Sequence, residues 1–156
     1  MSDAKELAPL GVLQVGGMPE WSGFAYTRFP SRPPVAKRFL KNELGLTSME
    51  ISLNHMKPGD GMPFVHRHRE NEEVYLFLDG AGEFQADGEL HPIQPGSCFR
   101  CAPAVGRAWR NTGSTPLVFV VIQAKDESYG PLGHTQDGEL VREPVLWRKG
   151  EPAPTA

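Results

Sequence analysis

The chain predicts an all-β domain, folded as a sandwich or a closed barrel. Two observations carry this expectation. Glycine (17) and proline (15) are both frequent among the 156 residues and fall between short apolar runs, the punctuation of strands joined by turns. These runs recur at regular spacing, and the clearest of them alternates apolar and polar side chains along its length.

The elements follow in chain order. Phe24 to Phe29 alternates loosely and reads as a strand. Val35 to Leu44 reads as a short helix: Pro33-Pro34 start it, Phe39, Leu40 and Leu44 recur at helical spacing, and Gly45 stops it. Met49 to Met56 alternates cleanly, with Met49, Ile51 and Leu53 on one face and Glu50, Ser52 and Asn54 on the other. Val74 to Leu78 is apolar on both faces and should be covered on both. Gly82 to Ala86, Glu89 to Ile93, Cys98 to Cys101 and Arg107 to Arg110 are shorter strands, set off by Asp79-Gly80, Asp87-Gly88 and Pro95-Gly96. Leu117 to Gln123 (LVFVVIQ) reads as the most buried strand. One further strand-like patch, Leu140 to Trp147, lies in a segment rich in glycine, proline and charge that ends in GEPAPTA. The organisation expected is an N-terminal arm over 1–45 with an edge strand and a short helix, a barrel over 46–125, and a C-terminal arm with a loose tail over 126–156.

The net charge of −3 gives no basic surface that would point to nucleic acid. No apolar run approaches a membrane span. The start, MSDAKELAPLGVL, lacks a basic region, an apolar core and a cleavage site, so the chain reads as cytoplasmic. The two cysteines form a lone CxxC, Cys98 and Cys101, in a segment whose flanks favour a strand. Thiols three apart on a strand point to opposite faces, so they read as two small, partly buried residues and not as a redox pair.

The stretch HRHRENEEVYLFLDG, from His66 to Gly80, carries the chemistry. His66 and His68 stand two apart, which on an extended backbone turns both imidazoles to one face. Glu73 opens the next strand, and an antiparallel neighbour can return its carboxylate to the two histidines. Two neutral imidazoles and a carboxylate suit Fe, Mn, Ni, Co or Zn and leave positions open for substrate. Alternation sends Tyr75 and Phe77 the same way as Glu73.

The wider pattern resembles the cupin superfamily, as a small single-domain member of the conserved-barrel type. Gly59, His66-Arg67-His68, Glu73 and Gly80 are similar to its first motif, and Gly96, Pro103, Gly106 and Asn111 to its second. The resemblance covers Met49 to Gln123. It implies a double-stranded β-helix, a jelly-roll barrel with its site inside, and metal ligands at His66, His68 and Glu73. Glu72 rivals Glu73 for the carboxylate, but the spacing to Gly80 favours Glu73. At the position where the second motif supplies another histidine, this chain has Arg107. A guanidinium stays protonated and has no lone pair to give, so it cannot be a ligand. Either Arg107 points away, or it pairs with Glu73 or with a bound anion, or the metal is weak or absent. His55 shares a face with Met49, Ile51 and Leu53 and is expected to point inward; His91 and His134 are less well placed.

Two functions compete. One is an enzyme with oxygenase- or isomerase-type metal chemistry on a small organic anion, in which Glu73, Tyr75 and Arg107 take part in catalysis. The other is a metal-free module that binds or senses such an anion. In both, Arg107 clamps the anion, and Trp109, Phe77 and His55 line the pocket. The cofactor implied is a divalent metal (Fe, Mn, Ni or Zn), held weakly or at partial occupancy. The apolar surface around Trp21 to Phe29 and at Trp147 exceeds what one barrel can bury, which predicts a homodimer.

Overall fold

The computed structural model describes residues 9–129, 138–143, 146–148 and 151–152. Its strands are β1 (Ala36–Phe39), β2 (Met49–Met56), β3 (Asn71–Asp79), β4 (Gly82–Ala86), β5 (Glu89–Ile93), β6 (Cys98–Cys101), β7 (Arg107–Asn111), β8 (Leu117–Lys125), β9 (Leu146–Arg148) and β10 (Glu151–Pro152). A sheet in the order β1-β2-β8-β3-β6 and a sheet in the order β5-β4-β7 are antiparallel throughout, and a separate pair joins β9 to β10. The inner faces of the two sheets share one core, with Tyr75, Phe77 and Phe119 from the first and Phe84 and Trp109 from the second. This is the double-stranded β-helix that the resemblance implies.

Strand register fixes which side chains enter the barrel, because residues directly opposite in an antiparallel pair share a face. One rung runs Glu50, Gln123, Glu73, Cys101. The next runs Phe39, Ser52, Val121, Tyr75, Phe99, and the one after it Lys37, Asn54, Phe119, Phe77. The outer face of β2 and β8 is not bare. Leu53 and Val118 are buried there under Trp21 and Leu40 in a second apolar cluster. Gly80 closes β3 with φ at 87°, and a Cβ there would lie 2.3 Å from the Pro116 carbonyl oxygen, so the turn into β4 requires glycine.

Four expectations need correction. The helix expected over Val35 to Leu44 is a strand followed by one helical turn, α1 (Lys41–Leu44). Residues 36–39 add an edge strand beside β2, where the backbone groups that face β2 find ladder partners. Gly45 does stop the turn, with φ at 69°. The strand expected over Phe24 to Phe29 reduces to a single bridge, Tyr26 with Val35. Pro30, Pro33 and Pro34 lack the N–H that a ladder needs. Just before it, Met18–Gly23 forms a 3-10 helix that seats Trp21, 6% exposed, against the outer face. β3 is not covered on both sides, since Leu76 on its outer face is 37% exposed. Of the strand-like patch at Leu140 to Trp147, residues 140–143 are not strand and β9 begins at Leu146; residues 144–145 and His134, with most of the expected tail, lie outside the described residues.

Cys98 is exposed, Cys101 is buried, and both are free thiols on β6. Among the described residues, no helix is long and apolar enough to cross a membrane.

Candidate functional site

The segment carrying the two histidines is laid along β7. His66 and Arg107 exchange backbone hydrogen bonds at 3.1 and 2.9 Å, and the His68 N–H donates to the Pro103 carbonyl at 3.0 Å. His66 lies directly opposite Arg107, so both side chains point into the barrel. His68, two residues on, shares that face. Glu73 comes from the facing sheet. One carboxylate and two imidazoles, near in sequence, thus meet from two layers, and ligand atoms of His66, His68 and Glu73 all lie within 4.8 Å of one another.

The two oxygens of Glu73 have different partners. Oε2 accepts from Arg107 Nη2 at 2.7 Å and from Nε at 3.1 Å, and also from the Tyr75 phenol. Oε1 lies 3.1 Å from His68 Nε2. Yet His68 Nε2 makes no hydrogen bond, and neither does His66 Nδ1. Ligand atoms this close, with no hydrogen bond between them, are compatible with a shared ion. His66 Nε2 is farther away, 3.9 Å from Oε2. The set fits a divalent ion held by two imidazoles and one carboxylate oxygen.

Arg107 has no exposed side-chain surface. Its Nη1 donates to the carbonyls of Val105 at 2.8 Å and Pro103 at 3.2 Å, while Nη2 and Nε serve Glu73. Of the fates the sequence left open, it takes the pair with Glu73. Little of its donor capacity is left for an anion.

These contacts set the charge states. Burial holds the His66 imidazole well below its usual range, at about 4, a shift that Glu73 opposes and that Arg107 and His68 reinforce. At neutral pH His66 therefore has a lone pair to give. Burial pushes the Glu73 carboxyl up, but hydrogen bonds from Tyr75 and Arg107 and the charges around it outweigh this, and the net shift is downward. The Tyr75 phenol is raised, by burial first and then by Glu73, so it stays a donor and does not serve as a base.

The remaining predicted residues divide. Trp109 is buried between Tyr75 and His66, with ring centroids 4.9 and 5.8 Å away, and its indole N–H has no partner among the described residues. Phe77 is buried against Phe119 and Phe84 and belongs to the core below the site. His55 does not line the pocket. It lies on the Leu53 side of β2, the outer face covered by the N-terminal segment, whereas Ser52 and Asn54 point inward. Glu72 points the other way from Glu73 and pairs with Arg100 at 2.6 Å in the solvent.

Sequence reasoning passed over two cations at the mouth. Lys37 sits on the inner face of β1 with its ammonium 4.6 Å from the centre of the Phe39 ring. Arg28 lies over the rings of Phe29 and Phe64, at 5.4 and 5.6 Å, and Phe64 meets His66 edge to face. The helix read over 35–44 hid the alternation that turns Lys37 and Phe39 inward. A depression of about 440 Å³ opens away from these residues, between β5 and β6 beside His91, Phe99 and Cys101.

Comparison with known proteins places this geometry. The cupin-domain family model matches residues 52–123. The structure is similar to that of a cupin protein from Bacteroides fragilis, at 35% identity and a TM-score of 0.61, covering 76% of this chain and 98% of that one. A protein from Acidithiobacillus ferrooxidans, provisionally named a sugar phosphate isomerase, is 28% identical with a TM-score of 0.54, covering 59% of this chain and 60% of that one. An uncharacterized protein of Methanocaldococcus jannaschii is 27% identical over 84 residues, 54% of this chain; the match spans only 62% of that relative's length.

Proposed function

This chain belongs to the cupin superfamily, and from that premise we propose that its barrel mouth binds a small organic anion beside a weak divalent metal site. The observation that carries the reading is the division of Glu73, with one oxygen turned to His68 and the other held by Arg107 and Tyr75. His66, His68 and Glu73 Oε1 would hold the ion, of the Fe, Mn, Ni or Zn class. A bound ion supplies Lewis-acid polarisation of a substrate oxygen. Arg107 and Tyr75 fix the carboxylate, and Trp109 packs against His66 and Tyr75 as the apolar backing of the site. The name of the Acidithiobacillus protein supports a substrate of this size and charge, since a sugar phosphate is a small organic anion. Isomerase-type chemistry on such a molecule is the enzymatic form of the proposal. Glu73 is its acid–base group in any step that needs no ion.

A second reading draws on the buried Arg107. A fixed positive charge beside the ligands favours a site that works without metal, as a binding or sensing module. Metal analysis of untagged protein, before and after exposure to Fe(II), Mn(II), Ni(II) and Zn(II), separates the two. Near-stoichiometric retention that is lost in Glu73→Gln supports the metal reading. No retention of any of these ions, with binding of small anions intact, leaves the binding module.

A further inference from the structure

We infer that Lys37 and Arg28 form the oxyanion-recognising wall of this mouth, and that the ligand they hold presents a phosphate or carboxylate head group. The inference rests on the reading of the mouth as an anion site and names the groups that would do the recognising. Arg107 cannot carry that role, because its guanidinium is engaged by Glu73 and by two backbone carbonyls.

The two cations are free in a way that Arg107 is not. Among the described residues, neither Lys37 nor Arg28 has a carboxylate within ion-pairing distance, whereas Arg38, Arg100 and Arg110 each do. Lys37 is partly buried on the inner face of β1, one rung from Ser52 and opposite Asn54. The nearby carboxylate that could have neutralised it, Glu50, instead accepts the backbone N–H of Lys41 at 2.9 Å. Burial lowers the pKa of the Lys37 ammonium; the attraction of Glu73 opposes the shift and Arg28 adds to it. An ammonium that has already given up part of its hydration gains more from an incoming anion than a fully hydrated one does.

The local charge agrees. Lys37, Arg28 and Arg107 face Glu73 and Glu50, three cations against two carboxylates, so the balance at the mouth is positive before any ion enters. Arg28 lies on the rim above Phe64, which touches His66, and Lys37 lies on the wall beside Phe39. A head group held between the two cations would set the uncharged part of the same molecule against Phe64, His66 and Trp109, next to Glu73. The arrangement therefore reads one end of a small molecule by charge and leaves the other for the acidic and imidazole groups.

Calorimetric titration with inorganic phosphate, glycerol 3-phosphate and propionate tests this. Glycerol 3-phosphate is expected to bind more tightly than propionate. Lys37→Met and Arg28→Met should each weaken it by about fivefold or more. Lys37→Arg should keep it within about threefold, and Lys57→Met, in an exposed turn, should leave it unchanged. Should Lys37→Met fail to fold, Lys37→Arg and Arg28→Met still carry the test. Propionate alone binding, with the same sensitivity, sustains the site with a carboxylate head group. Glycerol 3-phosphate binding that ignores both positions overturns the inference. Zn(II) binding with no binding of any anion overturns it too, but leaves the metal site standing; the loss of both removes the underlying reading as well.

Discussion

Arg107→His tests whether position 107 governs the metal site, and the structure sets the scale of the effect. The arginine serves Glu73 with two nitrogens and the Pro103 and Val105 carbonyls with a third. An imidazole is too short and has too few donors to replace these contacts together. Breaking a buried pair by removing one partner costs about 3–5 kcal/mol, and part of this is recovered when the stranded carboxylate takes up a proton. The substitution should therefore lower the melting temperature in EDTA. Its effect on metal runs the other way. A unit charge about 4 Å from a dication, at an effective dielectric near 20, repels it by roughly 8 kcal/mol, much of which Glu73 offsets. A net gain of only about 3 kcal/mol is more than a hundredfold in affinity, before the new imidazole adds a bond. Zn(II) and Ni(II) titrations of parent and variant, with melts in EDTA and at saturating ion, measure both quantities. At an ion concentration about a hundred times Kd, binding should return about 2.7 kcal/mol of stability to the variant. An affinity within about a factor of three of the parent's would refute the reasoning, because position 107 would then not face the point shared by the histidines.

Glu73→Gln should weaken metal binding by roughly a hundredfold or more, whereas Glu72→Gln, which loses only a solvent-exposed pair with Arg100, should change it less than about twofold. Equal effects in a metal titration would mean that the carboxylate is misassigned. The metal-free protein should lose stability on acidification through His66: the unfolded chain protonates it near 6.5 and the folded chain only near 4, so its contribution is whole above 6.5, declines between, and is gone below 4. The melting temperature of His66→Gln should fall less steeply over that window, and parallel slopes would contradict the assignment. Trp21 is buried within its own chain and Trp147's side chain lies outside the described residues, so the predicted homodimer would pair through the outer face of β3 and β8, where Leu76 and Ile122 are 37% and 36% exposed. Light scattering at tens of micromolar (~) should give a dimer mass, and a monomer for Leu76→Arg; a monomeric parent excludes any tighter pairing. Anion and ion should bind cooperatively, so the Zn(II) Kd should drop when glycerol 3-phosphate is present, and an unchanged Kd would place the two in separate sites.

The strands that alternate and end in turns were legible to the residue: β2, β4, β5 and β6 have the bounds that their sequence patterns predict. What the pattern withheld was which side faces in. The apolar side of β2 is the outer one, because Trp21 and Leu40 cover it, and the barrel side carries Ser52 and Asn54. The rule that apolar residues turn inward therefore misdirected His55. It could not be corrected without knowing where a segment some thirty residues upstream packs (~). β1 was missed for a related reason. Its stability comes from pairing with the edge of β2, a nonlocal contact, while its own residues fit a helix as well as a strand. With β1 unseen, Lys37 had no place on the inner face of the barrel. Glu73 was legible because its distance from Gly80 and its alternation with Tyr75 and Phe77 fix its face whatever its partners are.

Arginine in place of histidine does two opposing things to the carboxylate it holds. It pins Glu73 from one oxygen, with help from Tyr75, so that Oε1 is already oriented towards His68. Freezing a carboxylate in advance spares an ion about 0.5–1.5 kcal/mol of ordering entropy. It also places a permanent positive charge next to the ion, and that repulsion is several kcal/mol even after Glu73 offsets part of it. The electrostatic effect is the larger, so in the proposed reading an ion here would be held in a well-ordered but weak site. An anion that brings its own negative charge to the mouth reduces the repulsion without disturbing the orientation of Glu73. Under the proposed function the arrangement would therefore favour ion and anion together over the ion alone, the order of preference expected where a metal serves the ligand and not the fold.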